Sequence, residues 1–401
     1  MLRFLTSGES HGPGLTAVIE GLPAGLTVLA DPINEQLRRR QGGYGRGARQ
    51  KIETDTVEFL SGIRFGRTLG SPVTMLVRNR DWANWTTKMS IEPLPPGETE
   101  TPAISIPRPG HADYAGMLKY NHDDLRNVLE RASARNTASL VAVGAVARLL
   151  LAEFGISVVS HVVNIGGIRA TLDGIDLREV GALSEDSPVR VCDKAAEAAI
   201  IEAIDAAKYR GDTLGGVFEV IALGLPVGLG SFSQWDERID GKLAQALMSI
   251  QAIKGVEVGM GFGVADVPGS QVHDPILYQA GDEAQFLRSS NNAGGTEGGI
   301  SNGEPLVIRA AMKPIATLMK QLPSVNLKTK EAVPAFAERS DVCAVPAAAV
   351  VGEAMVGIVL ADLVSRKFGG DSIAEMKDNF DSYTRRTQGR SISVPAEQIS
   401  A

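Results

Sequence analysis

Apolar residues recur every three or four positions in several stretches of the chain, the spacing that gathers them on one face of a helix. Asp31 followed by Pro32 reads as a cap and a first-turn proline, so a helix is expected over residues 33–40. A second runs from about 127 to 154 and stops at Gly155, and a third, 193–210, stops at Gly211. A fourth covers roughly 236–253, up to Lys254-Gly255. The last begins at Pro346 and ends at Phe368, before Gly369-Gly370. Between them, β-branched runs at 56–63, 73–78, 156–165, 217–223 and 306–311 predict strands. Residues 90–105 are rich in Pro and Glu and read as an excursion loop, and the tail after Tyr383 is polar enough to fray.

The pattern also repeats. Val18-Ile19 precedes GLPAGL at 21–26, and Val220-Ile221 precedes GLPVGL at 224–229, each followed by a helix. Arg131 opens RASA with Gly144 thirteen residues on, and Arg339 opens RSDV with Gly352 thirteen residues on. Stretches 62–72 and 299–305 both precede a strand that carries arginine. Three matches in order, at offsets of roughly 200 to 235 residues, suggest an internal duplication; chance agreement among common residues is the alternative. A duplication would set two similar layers face to face, with the site where their arginines converge.

Composition narrows the class. At 401 residues, length alone suggests two or three domains, and 44% hydrophobic with 22% charged residues describes a folded globular chain. The 44 glycines exceed the usual share by about half, which calls for many turns or for backbone held close to a ligand. A net charge of −7 argues against a nucleic-acid partner. Cys192 and Cys343 give neither a disulfide framework nor a zinc pattern, which suits a reducing compartment. The most apolar tract, 344–363, is interrupted by Pro346, Gly352, Glu353 and Asp362. A membrane span needs about 20 predominantly apolar residues, so the tract reads as a buried core helix. Residues 1–5 are too short and polar to start a secretory signal, and the expectation is a soluble, cytoplasmic protein.

Six motifs carry the chemistry. GESHGPGL, 8–15, presents His11 on a constrained turn, and a histidine there suits proton transfer near neutrality. Arg38, Arg39, Arg40, Arg46, Arg49 and Lys51 crowd into fourteen residues around interleaved glycines. Planar guanidiniums and close backbone N–H groups grip phosphate and carboxylate oxygens. The embedded GYGRGA follows a helix instead of a strand, so it fails the structural test of a dinucleotide fingerprint. PRPGHADYAGMLKY, 107–120, sets a second histidine, His111, beside Arg108 and Asp113. RASARNTA, 131–138, places Arg131 and Arg135 four apart at a helix start, which favours anions. GGTEGGISNG, 294–303, is glycine-rich enough for a cofactor cradle, with AMKPIAT after it at 311–317. RSDVCAVPAA, 339–348, places Asp341 shortly before a helix. His122, His161 and His273 lack such settings and read as surface or satisfied core histidines. The residues themselves reach a polyanion site with acid–base chemistry, and no further.

In this order and spacing, the motifs resemble the chorismate synthase family from about residue 1 to 370, with 90–105 set aside. One departure is Asn136, where the family usually has glutamate after RASAR. The resemblance implies an α+β fold, a β-α-β sandwich of two antiparallel sheets flanked by helices, with a pseudo-two-fold internal duplication. It implies one domain over 1–370 in two similar halves, about 1–200 and 201–370, then a C-terminal helix and polar tail over 371–401. It implies a homotetramer that converts 5-enolpyruvylshikimate 3-phosphate to chorismate by anti 1,4-elimination of phosphate. The reaction uses reduced FMN without net redox change, within aromatic amino-acid biosynthesis. By motif, His11 would protonate the departing phosphate, His111 would act near the flavin N1, and Asp341 would support proton transfer at N5. Arg40, Arg46, Arg49, Arg131, Arg135 and Arg339 would hold phosphates and carboxylates. Ala132, Ser133, Gln251, Ala252, Gly298, Lys313, Pro314, Ile315, Ala316 and Thr317 would line the flavin. In members that reduce their own flavin, positions matching Arg40 and Arg46 are associated with NADPH. No metal is implied.

Two other classes make different predictions. A phosphate-binding RNA module would show binding that moderate salt abolishes, and 5% aromatics together with the negative charge argue against it. A metal-dependent phosphatase built on His11 and Glu9 would release phosphate with added metal and no flavin.

Overall fold

Strict alternation of apolar and polar residues builds the first sheet. In β2 (Gly14–Glu20), which pairs with β1 (Arg3–Ser7), Leu15, Ala17 and Ile19 are buried while Val18 and Glu20 face out. Beyond β3 (Val57–Ser61), the strand β4 (Val73–Arg78) buries Val73, Met75 and Val77 in the same way. The four pair antiparallel in the order β1-β2-β4-β3. The fold is that of a computed structural model describing residues 1–47, 54–97, 101–279, 285–336 and 341–388.

The second sheet contains β5 (Ser157–Ile165), β6 (Gly216–Leu223), β7 (Ile253–Val258) and β8 (Leu306–Met312). All its pairings are antiparallel, in the order β7-β8-β6-β5, with a two-residue strand Ile168–Arg169 at the β5 edge. Read from β5, the order β5-β6-β8-β7 repeats β1-β2-β4-β3. The chain order repeats with it, because a helix follows β2 and β6, and another follows β4 and β8.

Those helices are α1 (Ala30–Gln41), α4 (Thr137–Ala152), α6 (Ile239–Met248) and α7 (Val345–Phe368). Short α2 (Asp113–Tyr120) and α3 (Arg126–Ala132) precede α4, α5 (Lys194–Tyr209) lies between β5 and β6, and α8 (Ile373–Gln388) closes the described chain. Helix α4 rests on β2 and β4 and reaches β5; α7 rests on β5 and β6 and packs along α4, α1 and α6. The central helices therefore lie between the sheets, where the resemblance implied helices on the outside. The reason is in their sequences: both are apolar around most of their circumference, and such a helix is buried on all sides. By length and composition, 126–152 and 345–368 could cross a membrane, yet 78% and 89% of their apolar windows are buried inside the protein. At their closest approach Gly144 lies against Ala354, and Gly352 lies against the Phe218 ring; a Cβ at either glycine would overlap its neighbour.

Several expectations needed correction. The helix expected over 127–154 is broken at Ser133, whose extended backbone (φ −65, ψ 143) is followed by a 3-10 turn, Ala134–Asn136. Asn136 sustains the break, since its amide nitrogen donates to the Arg131 and Ser133 carbonyls. The helix expected to reach residue 253 stops at Met248, and Ile253 already begins β7. The polar tail continues as α8 to Gln388, because Phe380 and Tyr383 pack on Phe368 with ring centroids 5.0 and 5.7 Å away. The strands β1 and β2 were not anticipated.

Candidate active site

The break at Ser133 and the turn after Met248 both deliver residues to one cavity of about 510 Å³. His11 enters from the turn between β1 and β2. Its backbone N–H donates to Glu130 Oε2 at 2.9 Å, and its Nδ1 lies 3.0 and 2.9 Å from the two Glu130 oxygens. The Trp85 ring stacks on the imidazole, with centroids 3.8 Å apart and planes 25° apart. Asn79 fixes the same turn by donating to the Glu9 and Gly12 carbonyls.

His111 enters from the opposite wall, on the loop before α2. Its Nδ1 contacts Asp113 Oδ1, and Arg108 grips the same carboxylate through its backbone N–H, Nε and Nη2 at 3.1, 2.9 and 3.0 Å. Burial pushes the Asp113 carboxyl up, but hydrogen bonds from His111 and Arg108 outweigh it, and the group ends well below its ordinary range. Both histidines thus have Nδ1 against a buried carboxylate.

The floor is cationic. Asp55, 5% exposed, accepts from Arg40 Nη2 at 2.8 Å and from Arg135 Nη1 at 2.6 and 2.7 Å. Burial lowers the Arg40 pKa most, Asp55 counteracts it, and the Arg135 and Arg46 charges lower it again, to about 10. Arg46 Nη1 pairs with Asp341 Oδ2 at 2.9 Å, and the Gly47 N–H donates to Asp341 Oδ1 at 2.6 Å. Gly45, at φ +85, makes that approach feasible: its carbonyl accepts from the Val342 N–H, and a Cβ would press on Ile204 and Cys343. Among the described residues, Arg40 Nε, Arg46 Nε and Gln251 Oε1 are buried without a hydrogen bond. Such atoms are costly unless a ligand satisfies them.

The third wall joins α6 to β7 and follows β8. Ala252 takes a left-handed φ of +68, and its carbonyl accepts from the Lys313 N–H at 3.0 Å. Lys313 Nζ donates to the Gly110 carbonyl, tying this wall to the His111 loop. Thr213 Oγ1 donates to the Ile315 carbonyl at 2.9 Å.

The cavity therefore brings together His11, Arg40, Arg46, His111, Ala132, Ser133, Arg135, Gln251, Ala252, Lys313, Pro314, Ile315, Ala316, Thr317 and Asp341. Arg131 and Gly298 are not on its lining. The Arg131 guanidinium turns away to the Thr6 and Gly8 carbonyls and Asn136 Oδ1, and Gly298 accepts from Arg238 in a distant turn. Arg49 and Arg339 lie outside the described residues. His161 is buried, 2.9 Å from Glu219, whose other oxygen accepts from Arg309; it is the satisfied core histidine expected. Sequence reasoning missed Asp55, Trp85, Asn79 and Glu130, and it left Arg108 and Asp113 without roles. Glu130 stands directly before the RASAR motif, the one local signal available.

A family model described as chorismate synthase matches residues 2–365. The chain is 56% identical to the chorismate synthase of Syntrophotalea carbinolica, over 96% of this chain and 99% of that one. It is 54% identical to that of Enterococcus faecalis, over 96% and 100%. A solved structure of a chorismate synthase superposes with a TM-score of 0.77 at 46% identity, covering 97% of this chain and 98% of the other. The constrained histidines, the arginine floor and these matches converge: the chain belongs to the chorismate synthase family.

Proposed function

We propose that this chain is a carbon–oxygen lyase acting on a phosphate ester: it eliminates phosphate from 5-enolpyruvylshikimate 3-phosphate to give chorismate. The observation that carries the reading is one cationic cavity flanked by two histidines, each with Nδ1 on a buried carboxylate. Arg40, Arg46 and Arg135 supply forked donors for phosphate and carboxylate oxygens. With Nδ1 on Glu130, His11 offers Nε2 to the cavity. From there it gives a proton to the phosphate oxygen as the C–O bond breaks and that oxygen takes the electron pair. His111, steadied by Asp113 and Arg108, offers a second positioned imidazole, and Asp341, held by Arg46 and the Gly47 N–H, is a carboxylate set to steer a proton.

The residues fit a phosphorylated aromatic cofactor. Arg40 Nε, Arg46 Nε and Gln251 Oε1 await polar partners, and the backbone of Ala132, Ser133, Ala252 and 313–317 forms the walls. Reduced FMN bound there would supply electron density for phosphate departure and regain it by the end of the cycle. Arg40 and Arg46 are also the positions through which NADPH would act as reductant. The repeated order of strands and helices supports reading the halves as a duplicated, pseudo-two-fold unit within one domain. The second copy then begins at β5, earlier than residue 201. Exposed Leu5 and Val18 on the open face of the first sheet, and Tyr278 and Phe286 on a hairpin, support association with further copies, which we read as a homotetramer, and the buried free Cys192 and Cys343 suit the cytoplasm.

The test is an anaerobic assay with substrate and photoreduced FMN, with and without NADPH, following chorismate and flavin absorbance together. Chorismate formed at full rate with oxidised flavin, or one flavin oxidised per product, would refute the reading.

A further inference from the structure

His11 is held more tightly than a turn requires. Glu130, 1% exposed, reaches it from α3 across 119 positions of sequence and bonds it twice, at the backbone N–H and at the ring. A separate bond, from the Ser10 N–H to the Glu130 carbonyl at 3.0 Å, already anchors the turn. The side-chain bond to Nδ1 adds nothing to that anchoring; it fixes the ring. On the ring face, Trp85 is itself held by its Nε1–H on Asp81 at 2.9 Å, and the Arg126 guanidinium lies 5.3 Å from its centroid. Edge and face are therefore both taken, and among the described residues no hydrogen bond uses Nε2.

We propose that Glu130 is the positioning residue of the reaction: it holds the proton on His11 Nδ1, so that Nε2 is the edge that carries and delivers the proton to the departing phosphate. This rests on the function proposed above. A carboxylate can only accept, so it fixes the neutral ring as the Nδ1–H tautomer. The other charged groups around the ring are Arg126 on α3, 3.4 Å from Glu130, Lys88 and Asp81 beside Trp85, and Arg108 and Asp113 across a small cavity of about 110 Å³. Of these, Glu130 is the one that bonds the ring. Burial pushes the Glu130 carboxyl up, but the His11 bonds pull it below its ordinary value, so it meets His11 as an anion.

The experiment compares wild type with Glu130→Gln, which keeps the shape and the acceptor oxygen but removes the charge. In the flavin-free protein, nitrogen-15 NMR of labelled histidines reads the tautomer of His11, assigned with His11→Gln among five histidines. Wild type should show the Nδ1–H tautomer at high pH. The substitution should admit the Nε2–H tautomer beside it, because an amide can donate to Nδ1 as well as accept from it. In the loaded enzyme KM should hold and kcat should fall about 10²-fold. An Nε2–H tautomer in wild type would overturn the proposal even if the variant does not fold. So would an unchanged tautomer and kcat in the folded variant. A wild type that shows the Nδ1–H tautomer but makes no chorismate would fail the function and spare the positioning.

Discussion

Asp55 is the counter-charge of the arginine floor, and replacing it with asparagine tests the electrostatic account of the site. The carboxylate accepts from Arg40 at 2.8 Å and from Arg135 at 2.6 and 2.7 Å, with both guanidiniums buried. Breaking a buried pair by removing one partner's charge costs about 3–5 kcal/mol, because the other partner is left uncompensated. Here two cations are left, already crowded by Arg46, so the upper half of that range applies. At about 2.1 cal/mol/K per residue, a chain of this length unfolds with an entropy near 0.8 kcal/mol/K, so the melting temperature should fall by about 5–6 °C. The loss should depend on ligand. An anion in the cavity replaces the missing charge, and a ligand at 100 times its Kd stabilises by about 2.7 kcal/mol. Inorganic phosphate should therefore raise the melting temperature of Asp55→Asn more than that of wild type, in a thermal scan at fixed ionic strength. An unchanged melting temperature, or equal phosphate gains for both proteins, would mean the arginines are not held together by Asp55.

His11→Ala and His111→Ala should each cut turnover by about 10²–10⁴-fold in the anaerobic assay while substrate still binds; His161→Ala should leave turnover near wild type and lower stability, since Glu219 loses its partner. Glu353 should govern acid stability. Burial pushes its carboxyl up, but Arg148, Arg39 and Arg190 pull it down to about 2, so its contribution is full above the ordinary carboxylate pKa near 4.5 and disappears as pH falls towards 2. Denaturation followed from pH 6 to pH 2 should be steeper in wild type than in Glu353→Gln. Gly144→Ala should destabilise by about 1–3 kcal/mol in urea titration, because the added methyl meets Ala354 where α4 crosses α7. A variant as stable as wild type would show that the helices can move apart freely.

How far the sequence carries depends on the range of the interactions that decide each element. The strand at 73–78 matched to the residue, and helix 193–210 to within one residue at each end, because apolar spacing and glycine stops are local signals. The break at Ser133 was invisible for the opposite reason. Residues 127–154 have continuous helical character, and what bends them is Asn136 bonding back to Arg131 and Ser133 around a ligand wall. Histidines and arginines announced themselves by their glycine and proline settings. Asp55 and Trp85 did not, since an acid among basic residues or a tryptophan in a loop acquires meaning only beside partners from remote segments. Arg131 illustrates the converse: its motif marks the site, yet its own guanidinium serves the β1 edge.

Helix α7 has a consequence for how the chain is made. It lies between the sheets and packs on α1, α4, β5, β6 and α6, yet it follows every one of them in the chain. At about 5–20 residues per second, the ribosome takes roughly 17–70 s to pass from residue 1 to residue 345. Throughout that interval the face of β5 and β6 that α7 covers and one flank of α4 lie open, and the Leu2 N–H has yet to meet Asp362 Oδ1. The nascent chain is thus an open shell awaiting its central pin, and the pin is itself apolar enough to pass for a membrane segment while it emerges. Chains truncated before residue 345 should therefore fail to reach the native fold, because every element that packs on that helix loses its partner.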